Sequence, residues 1–285
     1  MAVLLLSLIA VCSARGQASS ITVQVSLDQE QFLPYEEIRV AVRIVNLSGQ
    51  TLELGKDNSW LSFHVESRDK FFIERYGEPD VTGVFTLESS MAATKRANIT
   101  PHFNVYRPGH YTVSAKVRIP EWNIEVSSRP ISFNIVRGTK LREIQFGVPA
   151  IGEERGAPEI RKYILQQAEY RKEMKLYIRL TDANEVKTIK LYPIARMMSF
   201  SRPEVQVDRF SNLHVLHQSG QHMFTYCTMN PYGQILTLHR YDILGATKPR
   251  LTVDESGRIS VRDGSRVYTD SDLPPVDVPT EANAQ

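Results

Sequence analysis

The sequence predicts an all-β protein, and three observations predict it. Ile21, Val23, Val25 and Leu27 alternate with Thr22, Gln24 and Ser26, the period-two pattern of a half-buried strand, and several later runs repeat it. Turn clusters rich in Gly, Pro, Asn and Ser punctuate the first half roughly every ten to fifteen residues and leave no room for a long helix. Farther on, two strand-turn-strand stretches echo each other without a gap at an offset of 46 residues, Pro203 to Val215 against Pro249 to Val261. Together they imply two successive β domains.

Composition sets the outer limits. With 285 residues, 42% of them hydrophobic and 23% charged, the chain can bury a sizeable core, which excludes disorder and a fibrous repeat. Thirty-four Lys and Arg against 32 Asp and Glu leave a formal charge of +2, too small for a general polyanion binder. After the first dozen residues no stretch is apolar for long enough to span a bilayer, so no transmembrane segment is expected in the mature chain.

Residues 1–18 read as a signal peptide. The apolar run Ala2 to Val11 has the length of a leader core, and Gly16-Gln17-Ala18 places small residues where a signal peptidase reads, so cleavage is expected after Ala18 and the product outside the cytoplasm, periplasmic or extracellular. Lipid attachment at Cys12 is the minor alternative, because Val11 stands where a lipobox carries a small residue. Once Cys12 has left with the leader, Cys227 is alone and no intramolecular disulfide is available; it reads as a small buried hydrophobe.

Residues 19–137 read as a β-sandwich. Ile38, Val40, Val42 and Ile44 form a second alternating strand with Arg39 and Arg43 facing out, and short runs follow at Thr51 to Leu54, Leu61 to Val65, Phe71 to Ile73 and Val84 to Leu87. Tyr111, Val113, Ala115, Val117 and Ile119 then run into the turn Pro120 to Asn123, and Ile131, Phe133 and Ile135 return. The segments FLPYEEIRVAVRIVNLSG (Phe32 to Gly49) and YRPGHYTVSAKV (Tyr106 to Val117) resemble the second and penultimate strands of bacterial immunoglobulin-like domains. That resemblance covers Ile21 to about Val136 and implies an immunoglobulin-like β-sandwich in which Tyr111, just past Pro108-Gly109, buries its ring while its hydroxyl satisfies loop backbone. Trp60 is expected to be plain core packing.

Residues 138–267 read as a small antiparallel β domain of blade-like hairpins, with Arg137 to Thr139 as the seam and Gly147 to Pro158 as a loop. Leu176, Ile178 and Leu180 alternate as a strand, whereas Ala157 to Tyr170 fits a strand or, from Ile160, Tyr163, Ile164 and Gln167, a helix. The echoed stretches share Pro, Val-Asp and a final Val, and in each the Asp (Asp208, Asp254) is expected to hold a tight turn between two strands. Their spacing, with Phe224 to Tyr226 and Gly233 to Leu236 between them, resembles the repeat of β-propeller blades, about 40 to 50 residues long. The 148 residues from Gly138 to Gln285 make about three such lengths, short of the roughly four to eight blades of a closed propeller. A small curved sheet is the expectation, ahead of a fragment closed by self-association. Residues 268–285, acidic and Pro-rich, read as a disordered tail.

No catalytic motif is present: HExxH, GxSxG and phosphate-cradling Gly-rich loops are all missing, and no cofactor is implied. His214, His217, His222 and His239 fall close together, but His214 and His217, three apart on a strand, point to opposite faces and have no evident carboxylate partner, so no metal is expected. Arg155 to Arg202 holds eleven basic and five acidic residues, most simply a solvated face. Tyr226, Tyr232 and Tyr241 are candidate stacking platforms for sugar rings, and with His214 and His217 make up the candidate ligand-binding set. The functional expectation is an exported, non-enzymatic binding or protein-interaction protein with a polysaccharide or protein partner and no nucleic acid. The alternatives are a secreted hydrolase with a site between the two domains, or a subunit completing a β assembly.

Overall fold

The computed structural model describes residues 20–148, 159–268 and 272. The leader expected at 1–18, most of the Gly147 to Pro158 loop, and the tail apart from Tyr268 and Asp272 lie outside the described residues. The protein is all-β, with strands paired antiparallel except for the short parallel pairing of Gln31–Phe32 with Asn134 and Ile135, and only single-turn 3-10 helices among the described residues. No helix there is long and apolar enough to cross a membrane. The chain divides into two units, Met1–Val136 and Arg137–Gln285.

The first unit contains β1 (Ile21–Leu27), β2 (Gln31–Phe32), β3 (Arg39–Asn46), β4 (Leu52–Leu54), β5 (Leu61–Ser67), β6 (Phe85–Leu87), β7 (Met91–Asn98), β8 (Gly109–Ile119), β9 (Ile124–Ser127) and β10 (Ile131–Ile135). One sheet runs β1-β3-β7; a second runs β2-β10-β8-β5, with β9 also pairing β8; β4 and β6 form a short ribbon. The alternation in β3 does what period two requires: Val40, Val42 and Ile44 are fully buried while Arg39 and Arg43 face solvent. Between the sheets these residues meet Trp60, Phe63, Val113, Val117 and Phe133 in one apolar core. Tyr111 buries its ring against Phe133, centroids 5.3 Å apart, and its hydroxyl donates to the Arg107 carbonyl at 2.6 Å. Trp60 is buried and donates from Nε1 to the Val81 carbonyl at 3.0 Å.

Two details depart from the expectation. Phe71 to Ile73 is irregular rather than a strand: Phe71 and Ile73 lean on the core while Phe72 is 88% exposed. Conversely β7 is a full strand although its sequence, MAATKRAN, shows little apolar alternation, because as an edge strand it borrows its order from β3 through backbone pairing.

The second unit contains β11 (Thr139–Gly147), β12 (Ile160–Tyr170), β13 (Glu173–Asp182), β14 (Thr188–Met197), β15 (Glu204–Val207), β16 (Leu213–Gln218), β17 (Met223–Met229), β18 (Ile235–Ile243), β19 (Arg250–Val253), β20 (Ile259–Arg262) and β21 (Gly264–Val267). The helical alternative for Ala157 to Tyr170 falls away, since β12 pairs with β13 from Arg161 to Tyr170. Rather than forming one curved sheet, the hairpins are shared among a four-stranded meander β11-β12-β13-β14, a five-stranded sheet β15-β16-β17-β18-β21 and the ribbon β19-β20. One core joins Tyr163, Leu165, Leu176 and Ile178 of the meander to Val205, Leu213, Val215 and Cys227. A second joins the opposite face of the five-stranded sheet, through Leu216, Phe224 and Tyr226, to Leu251 and Ile259 of the ribbon. The five-stranded sheet is therefore a middle layer, which is why every residue of β16 is buried.

The 46-residue echo is structural. Val205 pairs with Val215 and Val207 with Leu213; 46 residues on, Leu251 pairs with Val261 and Val253 with Ile259. The apolar positions the copies share line one face of each hairpin. On the opposite face they diverge: His214 and Leu216, covered by the ribbon, correspond to Ser260 and Arg262, which meet solvent.

Candidate functional site

The site begins with turn chemistry. Asp208 Oδ1 accepts from the backbone amides of Phe210 at 2.9 Å and Asn212 at 2.8 Å, and Asp254 Oδ1 accepts from those of Ser256 at 3.0 Å and Arg258 at 2.9 Å. In both, the first residue also exchanges backbone hydrogen bonds with the fourth and fifth, and the fourth (Ser211, Gly257) has φ of +63° or +78°. Asn230 builds the same turn between β17 and β18, with Gly233 at +85°, so the repeating unit is half the length suggested by the echo. The Asp208 and Asp254 turns stand at two walls of a cleft of about 490 Å³.

Cross-strand register supplies the floor. His214 pairs with Thr228 and Thr228 with Thr237, so three polar side chains cross β16, β17 and β18 on the face where Leu216 lies one step away and Phe224 two. His214 Nδ1 lies 2.6 Å from the Tyr226 hydroxyl and Nε2 lies 3.3 Å from Asp208 Oδ2. An ionised carboxylate only accepts, so Nε2 carries the proton, Nδ1 accepts from Tyr226, and the chain of donors runs Tyr226 to His214 to Asp208. Burial pushes the His214 pKa down, opposed by Asp208, which keeps the ring neutral. Burial pushes the Asp208 carboxyl up, but hydrogen bonds from Asn212, His214 and Phe210 outweigh it and hold it below the ordinary range. Burial also raises the Tyr226 phenol, which stays protonated.

One group on this floor is unsatisfied. Thr228 is 4% exposed, and its hydroxyl has no hydrogen-bond partner among the described residues. At the solvent edge stand Arg209, Arg258 and Phe210, the last 57% exposed with the Arg209 guanidinium 4.7 Å over its ring.

Of the candidate residues, His214 and Tyr226 meet in this cleft. Tyr241 sits behind Tyr226, edge-on at 6.4 Å, in the second core and outside the lining. Tyr232 belongs to the Asn230 turn, with Arg161 5.8 Å over its ring. His217 lies on the opposite face of β16, buried, with Nε2 3.1 Å from the Arg196 carbonyl. Asp208 corrects the expectation that His214 has no carboxylate partner. Thr228, Thr237, Arg209 and Arg258 were not marked by sequence; only the register of the echoed hairpins could have brought them together.

Elsewhere the chemistry is structural. Cys227 is fully buried and its thiol is pushed up to about 12, a poor nucleophile. Within the basic stretch, Arg161 pairs with Glu159 at 2.8 Å, Lys162 with Glu143 at 2.8 Å and Arg196 with Glu173 at 3.0 Å. No three His, Cys, Asp or Glu side chains converge to hold a metal among the described residues.

No family model matches the chain, and no curated protein matches it. The crystal structure of Spo0M, a sporulation control protein from Bacillus subtilis, is similar over 63% of this chain and 91% of that one, at 9% identity and a TM-score of 0.30, a likeness too slight to carry an argument.

Proposed function

We propose that the chain is an exported, non-enzymatic binding protein whose ligand site is the cleft between the Asp208 and Asp254 turns, with a saccharide as its ligand. The observation that carries this reading is the Thr228 hydroxyl, buried on the floor of a cavity of ligand size and left without a partner. A buried polar group without a partner is destabilising, and the Thr228 oxygen, shielded from solvent in the unliganded cleft, gains its bond as the lining side chains shift to admit a ligand. The same floor offers the Tyr226 oxygen, whose proton is committed to His214, as a further acceptor. Export is supported by the apolar run Ala2 to Val11 and the small residues ending at Ala18.

Glycan-array screening of the mature chain, followed by NMR titration with the best binder, tests the proposal. The expected result is shifts centred on His214, Tyr226 and Thr228 with the glycan returned unchanged. Shifts confined to other surfaces, or turnover of the glycan, would overturn it.

A further inference from the structure

We propose that the cleft selects an anionic sugar unit: a ring whose hydroxyls bond Thr228, Thr237 and the Tyr226 oxygen, and whose carboxylate or sulfate is held by Arg209 and Arg258. The proposal rests on the reading of the cleft as the ligand site and adds the charge of what enters it.

Arg209 and Arg258 both line the cleft and both are exposed. Among the described residues neither guanidinium makes an ion pair or a side-chain hydrogen bond, whereas Arg161, Lys162 and Arg196 in the same unit each sit within salt-bridge distance of a carboxylate. The carboxylate lining the cleft, Asp208, is already engaged: Oδ1 receives the amides of Phe210 and Asn212, and Oδ2 receives the Asn212 side chain and His214. Asp254, outside the lining, feels the Arg258 charge across its own turn but spends its Oδ1 on the amides of Ser256 and Arg258, so within the lining two guanidinium forks face one committed carboxylate, and such a fork matches a carboxylate or sulfate in geometry as well as sign. Arg209 lies over Phe210, which steadies the fork and leaves an aromatic surface beside it for the apolar face of a ring. Below, the hydroxyls of Thr228 and Thr237 stand on paired positions of neighbouring strands, a spacing suited to vicinal hydroxyls of one ring.

Calorimetric titration of the mature chain with trigalacturonate, with its fully methyl-esterified form and with a sulfated galactose disaccharide tests the proposal. The ester keeps the ring and removes only the charge. The acid is expected to bind at least about tenfold tighter than the ester, an advantage that shrinks with added salt and nearly disappears in Arg258→Gln. Tighter binding of the sulfated disaccharide than of the acid would support the proposal and identify sulfate as the anion. Thr228→Val is expected to weaken acid and ester alike by several-fold while melting no lower than the parent, which separates lost contact from lost fold. Equal binding of acid and ester, both sensitive to Thr228→Val, would overturn the charge preference and leave the cleft as the site. Binding indifferent to both substitutions would remove the cleft itself, and binding of no probe would overturn the proposal.

Discussion

At the scale of single residues, burial without partnership distinguishes Thr228 from its neighbours. His214 and Tyr226 are buried too, yet each has its hydrogen bond, and Asp208 has four. Because the Thr228 hydroxyl is desolvated without return, Thr228→Val is expected to stabilise the unliganded protein by up to about 1 kcal/mol, read as a higher urea midpoint. A loss of stability would mean that the hydroxyl is satisfied in solution, and the cleft reading would lose its main support. Tyr111, by contrast, was legible in advance: Pro108-Gly109 and the tyrosine just beyond them specify a buried ring with its hydroxyl on nearby backbone. The two cases differ in reach. The Tyr111 bond closes over four residues of chain, whereas the meaning of Thr228 depends on which residues of β16 and β18 lie beside it.

At the scale of elements, the Asp208, Asn230 and Asp254 turns are the recurring device, and they place different demands on their glycines. An added Cβ at Gly257 meets nothing within 4 Å, so Gly257→Ala is expected to cost only the left-handed backbone, about 1 kcal/mol. At Gly233 the same Cβ would lie 2.9 Å from Lys190 Cβ, so Gly233→Ala is expected to cost more, roughly 2 kcal/mol. Urea denaturation of the two variants checks the order, and equal losses would show that Lys190 simply moves aside. Strands with one buried face, β1, β3 and β8, could be read from alternation, as could β13 although Tyr177 and Thr181 between its apolar positions are buried too, and the echo located both outer turns. Among the strands that escaped, β7 and β11 lie at sheet edges with mostly exposed side chains, so no apolar period marks them, while β9 and β21 are only four residues each. The Asn230 turn escaped as a third copy because Asn replaces Asp and its flanking strands share little sequence with the echo.

At the scale of the whole molecule, acid sensitivity is concentrated in the second unit. Burial pushes the His217 pKa from an ordinary 6.5 down to about 4, against a weak opposing bond to the Arg196 carbonyl, and lowers His214 as well. The unfolded chain takes up protons below pH 6.5 that the native chain refuses, so stability present above that pH is lost as it falls toward 4, roughly 3 kcal/mol from His217 alone. The lowered carboxyl of Asp208 adds a loss of the same sign at lower pH. Both tryptophans, Trp60 and Trp122, lie in the first unit. On acidification the β signal in circular dichroism is therefore expected to fall before tryptophan emission changes; simultaneous loss would count against His217 as the cause. A last consequence follows from the ribbon β19-β20, whose outward Ser260 and Arg262 replace the His214 and Leu216 of the middle layer. A module copied by gene duplication and inserted before Pro249 would find a greasy bed beneath it and provide another above. Laid instead on the outer face of the ribbon, the same module would meet the wetted side chains of Ser260 and Arg262.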